Sequence, residues 1–547
     1  MQPTGHNGPR GPFGDRTGSD GRVLGDREGV HSAAPEPSPR VDGLSRNSDT
    51  LSFAVYVGGS LAERVNLSGA YMVGSDDVPL RADITFKDGH ILCRKRAAGP
   101  AGLALLWEVN AVGAVMLETI RVEERERPYI LQIELARGRM LRLLNKLEDW
   151  GLLEQADGVE CLPQIDAARE ALIRALQAES AAAAAAMGEE ALTQAVTLSE
   201  DISRRYAQVQ LARRKQSGGL GRRVFGCGVP LDAPRELAKK RLNQAVDFVT
   251  VPIVWRDVEP AEQSFDWKAL DGWVETLSKL NLPLRGTPLL SFHERNVPDW
   301  LYIWEHDFDT IRDLAFEHAR RIVNRYGQFI QSWVVVSGIH ANNCFSFNFE
   351  QLMELTRMTA ALTKQLSPRG SAIIDIIFSW GEYYARNQRT IPPALYAEMT
   401  VQSGINFDAF GVQFHFGANQ DGMFVRDMFQ ISTMLDQLSK MGKPVHVTAV
   451  EVPSHATQQA AADCGAWHEP WNETVQSDWL RQFVEIALSK PNTESINWHS
   501  LVDRTDGPIE HGGLLRGDQA PKPAFEQYAR LRRDLLGKGK PAGSIRT

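Results

Sequence analysis

The C-terminal part of the chain alternates short apolar runs with amphipathic helical patterns, and this alternation limits the fold more than any other feature. The runs have the length of buried strands, and apolar residues between them recur every three or four positions. The eight strand candidates are residues 225–231, 248–255, 284–292, 332–339, 372–380, 407–416, 445–452 and 495–502. Eight strands that are each followed by a helix predict a closed (β/α)8 barrel, a TIM barrel, over residues 224–536.

A doubly wound open sheet is the alternative arrangement for strands that alternate with helices. Such a sheet needs a glycine turn that leads from its first strand directly into a helix. Here the first strand candidate continues as Phe-Gly-Cys-Gly-Val-Pro, and Pro230 stands where the helix should begin. The sequence therefore favours the closed barrel.

The regions outside the barrel are assigned to domains from their amino-acid composition and from the spacing of their apolar residues. An Asp88-Gly89 pair lies between two alternating runs, and Asp-Gly accepts the positive φ angles of a tight hairpin turn. Further along the chain the period becomes helical. The predicted order is a disordered tail at 1–50, a small antiparallel β-sandwich-like domain at 51–127, a helical hairpin or short coiled coil at 128–214, a linker at 215–223 and a tail at 537–547.

Composition and charge exclude several classes of protein. The net charge is -8, and no basic stripe is interleaved with aromatic residues, so we expect no nucleic-acid partner. The five cysteines are scattered without a Cys-x-x-Cys spacing, which argues against a disulfide framework or a structural zinc site. No stretch reaches about 18 uninterrupted apolar residues, so we expect no membrane contact. The first residues lack a signal-peptide pattern, which predicts a cytoplasmic protein, or an extracellular one if the start codon is misassigned.

The carboxyl ends of the predicted strands carry the polar residues of interest, because the active site of a TIM barrel lies at that end. Aromatic, amide, imidazole and carboxylate groups together suit a sugar, whose ring faces stack on Trp and whose hydroxyls pair with polar groups. No His-x-His or His-Glu-x-x-His spacing occurs, so we predict no metal site and no cofactor. The strand-end residues include Trp255, His293, His340, Glu382, Gln413, His415, Glu451 and Trp498.

Several short motifs at these strand ends follow one known order. They are Val-Thr-Val-Pro-Ile-Val-Trp-Arg-Asp-Val-Glu-Pro at 249–260, Arg-Gly-Thr at 285–287 with Pro-Asp-Trp at 298–300, Gly-Val-Gln-Phe-His at 411–415, and Gly-Leu-Leu at 513–515 with Pro-Lys-Pro-Ala-Phe at 521–525. In this order they resemble the family 10 glycoside hydrolases, the xylanase type. The resemblance covers residues 224–536 and implies a TIM barrel that hydrolyses or binds β-linked glycans, with an oligo- or polysaccharide as partner.

The resemblance fails at the two catalytic positions. The family's acid/base glutamate ends a Trp-Asp-Val-Val-Asn-Glu motif, and Gly338 stands at the corresponding position. Its nucleophile lies in a Thr-Glu-Leu-Asp motif, where this chain has Ala449. Retaining glycosidases need two carboxyl groups about 5–5.5 Å apart, so the family mechanism is not expected here. The retained residues, which the resemblance implies bind substrate, are Trp255, His293, Gln413, His415 and Trp498.

A shifted catalytic pair is one way to restore hydrolysis. Glu451 lies two residues beyond Ala449, and His340 lies two residues beyond Gly338. Because strand side chains alternate, each would point to the same side as the lost group but about 6.8 Å nearer the mouth. An active enzyme would then use Glu451 as nucleophile or base and His340 as acid. The alternative is that Glu451 matches the Asp after the family nucleophile and has a supporting role.

Three functions therefore remain open from the sequence. The first is an endo-1,4-β-xylanase-like enzyme that hydrolyses O-glycosyl bonds. The second is a pseudoenzyme that holds a carbohydrate in the same cleft without cleaving it. The third is a scaffolding protein that self-associates through residues 51–214.

Overall fold

Antiparallel sheets and a helical segment precede a closed parallel barrel in the computed structural model, which describes residues 50–154 and 160–537. This is the fold class that the sequence predicts. Residues 1–49 and 538–547, which carry the two predicted tails, lie outside the described part of the chain.

The strands between residues 50 and 130 form two four-stranded sheets and a two-stranded ribbon. They are β1 (Thr50–Ala54), β2 (Tyr56–Val57), β3 (Ser60–Leu61), β4 (Tyr71–Val73), β5 (Pro79–Leu80), β6 (Ala82–Lys87), β7 (His90–Lys95), β8 (Gly102–Val109), β9 (Gly113–Glu118) and β10 (Tyr129–Ile130). The sheet orders are β10-β1-β7-β6 and β5-β4-β8-β9, and β2 pairs with β3. Asp88 and Gly89 both have positive φ and form the expected tight turn between β6 and β7.

Three α-helices follow in the described part of the segment 131–216, α1 (Leu131–Asp149), α2 (Leu162–Leu176) and α3 (Ala181–Gln216), with a short 3-10 helix at Leu152–Glu154. The alanine run opens α3, and the Ser180 side chain caps it by accepting a hydrogen bond from the Ala183 N–H. Apolar residues of the three helices meet in one cluster that includes Leu143, Ile165 and Ile202. Burial of these faces against each other holds the helical segment together.

Within the described residues, eight parallel strands close a barrel in sequence order. They are β11 (Phe225–Gly228), β12 (Phe248–Pro252), β13 (Leu284–Thr287), β14 (Ile330–Ser337), β15 (Ser371–Ile376), β16 (Ala409–His415), β17 (Val445–Glu451) and β18 (Thr493–Trp498). Strand β11 pairs with both β12 and β18, which closes the barrel. The strands are apolar almost throughout because helices cover their outer face and side chains fill the interior.

Helices connect the strands on the outside of the barrel. The long ones are α4 (Lys268–Lys279), α5 (Phe308–Tyr326), α6 (Phe349–Leu366), α7 (Pro393–Gln402), α8 (Met428–Ser439), α9 (Glu473–Ser489) and α10 (Pro523–Leu536). Shorter helical turns are Ala238–Leu242, Asn243–Ala245, Trp255–Val258, Asp299–Trp304, Glu382–Arg386 and Gln458–Cys464. Among the helices of the described ranges, none is both long and apolar enough to cross a bilayer.

The N-terminal sheets are joined to the barrel by backbone hydrogen bonds. The Met116 N–H of β9 donates to Val425 O (2.9 Å), and the Ala466 N–H donates to Ala114 O (2.9 Å). Residues 425 and 466 belong to the loops that follow β16 and β17. One continuous hydrophobic cluster contains Phe53 of the first sheet together with barrel residues such as Trp479. The N-terminal part therefore packs beside the barrel mouth. We call its described residues, 50–154 and 160–216, the wall.

Candidate active site

Three polar side chains meet at the carboxyl ends of neighbouring barrel strands. His415 ends β16, Glu451 ends β17, and His499 directly follows β18. His415 and Glu451 are register partners, and the His499 N–H donates to Val450 O (3.0 Å). Each of the three side chains offers one potential ligand atom, and these atoms lie within 4.8 Å of one another. We call His415, Glu451 and His499 the His–Glu–His cluster.

The side chains of the cluster are largely removed from water. Glu451 is 2% exposed and His415 is 6% exposed, whereas His499 has intermediate exposure. Burial raises the pKa of Glu451 well above its usual range, and the nearby Asp503 carboxylate adds to this rise. Burial lowers the pKa of His415 well below its usual value and the pKa of His499 to about 4. The protein environment therefore favours the uncharged form of all three groups at neutral pH.

A second polar network lies inside the barrel around Asp375. This completely buried carboxylate accepts hydrogen bonds from Thr448 Oγ1, Ser337 Oγ (2.7 Å) and Gln413 Nε2 (2.5 Å). Burial raises the pKa of Asp375 although these three hydrogen bonds oppose the rise. Gln413, a predicted substrate-binding residue, thus has its amide engaged by the protein and keeps only part of its surface open.

Gly338 and Ala449, the two residues that the motif resemblance aligns with the family's catalytic glutamates, have tight surroundings. Gly338 has φ +64°, and a Cβ atom on it would lie 2.3 Å from Ile377 Cδ1. Glycine suits this left-handed backbone, and any larger residue would also have to displace Ile377. Ala449 is 4% exposed and is the register partner of Gln413 on the neighbouring strand.

His340 lies apart from the His–Glu–His cluster in its contacts. Its side chain is completely buried, its Nε2 atom is 3.1 Å from Ile377 O, and its ring stacks on Tyr396 of α7 with centroids 5.0 Å apart. Burial lowers the pKa of His340 to about 4. The structure thus brings Glu451 together with His415 and His499, and it packs His340 against the segment after β15 and against α7.

The two tryptophans that were predicted to bind substrate are packed inside the protein. Trp498 is completely buried, and its Nε1–H donates to Gly512 O (2.9 Å). Trp255 is 3% exposed, donates to Glu259 Oε2 (3.0 Å) and stacks on His318 with centroids 4.4 Å apart. In this conformation neither indole offers an open face on which a sugar ring can stack.

His293, by contrast, lies in the loop after β13 and keeps an accessible surface. The ring is partly buried, and its Nδ1 atom accepts a hydrogen bond from the Arg295 N–H (3.1 Å). Burial and the neighbouring Arg295 charge lower the pKa of His293. The Nδ1 hydrogen bond orients the ring, and Nε2 of the neutral ring can then donate to a ligand hydroxyl.

Tyr71 of the N-terminal strand β4 contacts a buried ion pair at this end of the barrel. The ion pair joins Arg426, in the loop after β16, to Glu382. Arg426 is completely buried and also donates to the Tyr71 hydroxyl (3.3 Å). Its guanidinium also lies 4.6 Å from the centre of the Trp380 ring. Glu382, a strand-end residue in the sequence, is therefore part of an ion pair that ties the wall to the barrel.

Sequence reasoning missed His499, Asp375 and Arg426. His499 had a usable signal, because it directly follows the strand-end residue Trp498. Asp375 also had one, since it is an acid within the apolar run Ala-Ile-Ile-Asp-Ile-Ile at 372–377. Arg426 had none, because its partner Tyr71 is distant in the chain.

Comparison with known proteins assigns the barrel region to a family. The model of glycosyl hydrolase family 10 matches residues 233–530, which is more than half of the chain. Solved structures with a similar fold include native xylanase 10B from Thermotoga maritima (13% identity, 60% of this chain and 98% of that chain, TM-score 0.43). Two more are xylanase 10B from Thermotoga petrophila RKU-1 in complex with xylobiose (15% identity, 59% and 97%, TM-score 0.42) and GH10 from Paenibacillus barcinonensis (15% identity, 60% and 98%, TM-score 0.43).

Proposed function

The chain belongs to glycosyl hydrolase family 10, and from this premise we propose that its barrel mouth binds a β-linked glycan of the xylan type without cleaving it by the family's two-glutamate mechanism. The proposal is carried by Gly338 and Ala449, the residues that the motif resemblance aligns with the acid/base and the nucleophile. A retaining mechanism needs a carboxyl group at both positions.

The surroundings of Gly338 support this loss of chemistry. A side chain at this position would be strained by the positive φ and would have to displace the Ile377 side chain. General acid/base help is typically worth about 10²- to 10⁴-fold in rate, and the missing nucleophile removes the covalent intermediate as well. Of the predicted substrate-binding residues, His293 and Gln413 keep open surface and are the proposed ligand contacts.

Hydrolysis at a shifted site is the second candidate function. It is favoured by Glu451, a buried carboxyl group in the barrel mouth whose pKa burial raises well above its usual range. Perturbed acids in a cleft are frequent in active sites. The predicted partner acid, His340, would have to leave its contacts with Ile377 and Tyr396 to take part.

Calorimetry with xylo-oligosaccharides, together with activity assays on xylan and aryl β-xylosides, tests both candidates. We expect oligosaccharide binding without turnover, and we expect His293→Ala to weaken binding about tenfold, the effect of losing one hydrogen bond. His306→Ala, which removes a side chain that is 92% exposed, is the matched control and should bind as the wild type does.

Each other outcome has a defined meaning. Turnover that Glu451→Ala abolishes would favour the shifted-site enzyme and overturn the non-catalytic proposal. If the protein neither binds nor cleaves these glycans, only the scaffolding hypothesis remains. That hypothesis is tested separately, because residues 51–214 carry the predicted self-association surface.

We also propose self-association through the helical segment. Apolar side chains on α1 and α2 are 41–55% exposed, and exposed apolar groups favour contact with another molecule. They are Leu141, Leu144, Ile173 and Leu176. Light scattering on the full chain measures the oligomeric state, and a monomer at all concentrations would contradict this proposal.

A further inference from the structure

We propose that the His–Glu–His cluster binds one divalent transition-metal ion, of which Zn²⁺ is the best match to its ligands. The ligands would be one imidazole nitrogen each from His415 and His499 and one carboxylate oxygen from Glu451. This inference goes beyond the proposed function, because metal binding at these residues does not require a glycan.

The donor set has the chemistry of a zinc site with open positions. Two imidazoles and one carboxylate bind Zn²⁺ and leave at least one coordination position for water or another ligand. Metal–ligand bonds of about 2.0–2.2 Å put tetrahedral ligand atoms about 3.4 Å apart. The three atoms already lie within 4.8 Å of one another, so coordination requires them to approach by about 1.4 Å at most.

Unpaired polar atoms in the cluster give an independent reason to expect a ligand. His415 Nε2 and Glu451 Oε2 are buried and have no hydrogen-bond partner among the described residues. Buried polar atoms in proteins are normally paired, and a cation would supply the missing partner for both.

The backbone around the cluster holds the three side chains close together. A Cβ atom on Gly512 would lie 2.4 Å from Glu451 Cδ, and one on Gly228 would lie 2.0 Å from His499 O. Gly512 therefore allows its loop to approach the Glu451 side chain closely, and Gly228 allows the end of β11 to approach the His499 backbone. The His415 and His499 rings are nearly perpendicular, with centroids 4.9 Å apart.

The nearby cationic side chains are engaged elsewhere. Lys522 forms an ion pair with Asp503 (2.6 Å). Arg504 pairs with Asp232 and Asp506, both at 2.7 Å. Both cations therefore have carboxylate partners of their own, and neither forms an ion pair with Glu451.

Metal analysis of the full chain tests the proposal. The protein is stripped with a chelator, dialysed and titrated with ZnCl₂ in competition with a chromophoric chelator, and Co²⁺ absorption reports the ligand field. We expect one Zn²⁺ per chain and a higher melting temperature with Zn²⁺. His499→Ala and Glu451→Gln should each weaken binding by about 100-fold or more, because outer groups that only orient ligands are already worth about 10- to 100-fold.

The controls use two histidines outside the cluster. The His455 and His511 rings lie 5.7 Å apart, and His455→Ala and His511→Ala should bind Zn²⁺ as the wild type does. Circular dichroism of the metal-free His499→Ala and Glu451→Gln chains reports whether each still folds. Absence of Zn²⁺ binding by the wild type, unchanged affinity in folded His499→Ala, or loss of binding in the His455 or His511 variant would each overturn the inference.

Glycan binding with the chelator present separates this inference from the proposed function. If the chain binds xylo-oligosaccharide but no Zn²⁺, the metal site is wrong and the proposed function stands. If it binds Zn²⁺ at the cluster but no glycan, the metal site stands and the proposed function is wrong.

Discussion

Asp375 is a buried side chain that joins three other barrel strands through hydrogen bonds. It accepts hydrogen bonds from β14, β16 and β17 through Ser337, Gln413 and Thr448. Replacing it by Asn exchanges one acceptor oxygen for an amide donor, so at least one of these three hydrogen bonds is lost or has to reverse its direction. A hydrogen bond contributes about 0.5–1.5 kcal/mol net, so we expect Asp375→Asn to lower the free energy of unfolding by about this amount.

The same variant should change how stability depends on pH. Burial raises the pKa of Asp375 in the folded state, so the folded protein holds this proton more tightly than the unfolded chain does. Stability from this group is then present at acidic pH and is lost as the pH rises from the unfolded pKa towards the folded pKa. Urea unfolding at several acidic to neutral pH values should show a smaller loss in Asp375→Asn than in the wild type; equal losses would contradict the assignment.

Whether a side chain's position could be predicted from the sequence depended on where its strand ends. Glu451 is the last residue of β17, so the period-two rule brings it to the barrel mouth as predicted. Strand β14 ends at Ser337, and the left-handed Gly338 then turns the chain, so the rule no longer applies to His340. Contacts that join different strands, such as the one between His415 and His499, follow from barrel closure. No motif of fixed residue spacing in the sequence reveals them.

At the scale of elements, the barrel strands were predictable and the contact between β9 and the barrel was not. Buried strands need apolar runs, and these runs are visible in the sequence. The edge of β9 contacts the barrel through backbone groups, including the Met116 N–H and Ala114 O, and backbone groups are the same for every residue. One residue whose identity reflects this contact is Gly113, because a side chain there would clash with the Ala466 backbone.

Gly113→Ala should destabilise the contact between β9 and the barrel. A Cβ atom at this position would lie 2.4 Å from Ala466 O, a backbone atom of the residue whose N–H donates to Ala114 O. Gly99→Ala is the matched control, since Gly99 has nearly the same positive φ but no atom within 4 Å of the added Cβ. Both variants pay the strain of positive φ, so a lower melting temperature of Gly113→Ala than of Gly99→Ala measures the contact. Equal melting temperatures would show that β9 tolerates the added atom.

At the scale of the whole molecule, the N-terminal part and the barrel are joined by buried polar contacts as well as by a shared core. Glu200 of α3 accepts hydrogen bonds from the Met428 N–H (3.1 Å) and Trp467 Nε1–H (3.1 Å), and it pairs with His468 (3.0 Å). Met428 opens α8, while Trp467 and His468 follow β17 in the chain. One carboxylate thus links the helical segment to the start of α8 and to the loop after β17, and we expect the described parts to unfold in a single transition.

The Glu200–His468 pair should make this link strongest at mildly acidic pH. Burial opposes the charge on both residues, but their mutual hydrogen bond and attraction lower the pKa of Glu200 and raise the pKa of His468. The stability from Glu200 is present above its unfolded pKa and is lost as the pH falls, whereas that from His468 is present below its unfolded pKa and is lost as the pH rises. Both contributions are therefore present between the ordinary pKa values of the two groups, 4.5 and 6.5.

Thermal unfolding of Glu200→Gln and His468→Gln as single and double variants tests this link. We expect each single variant to lower the melting temperature most within that pH window, with a coupling between them that fades at alkaline pH as His468 loses its proton. Glu275→Gln, which removes an exposed ion pair with Lys279, is the control and should leave the melting temperature nearly unchanged. A coupling that stays constant across the pH range would mean that the hydrogen bond alone joins the two residues, and two separate transitions in the wild type would mean that the wall and the barrel unfold independently.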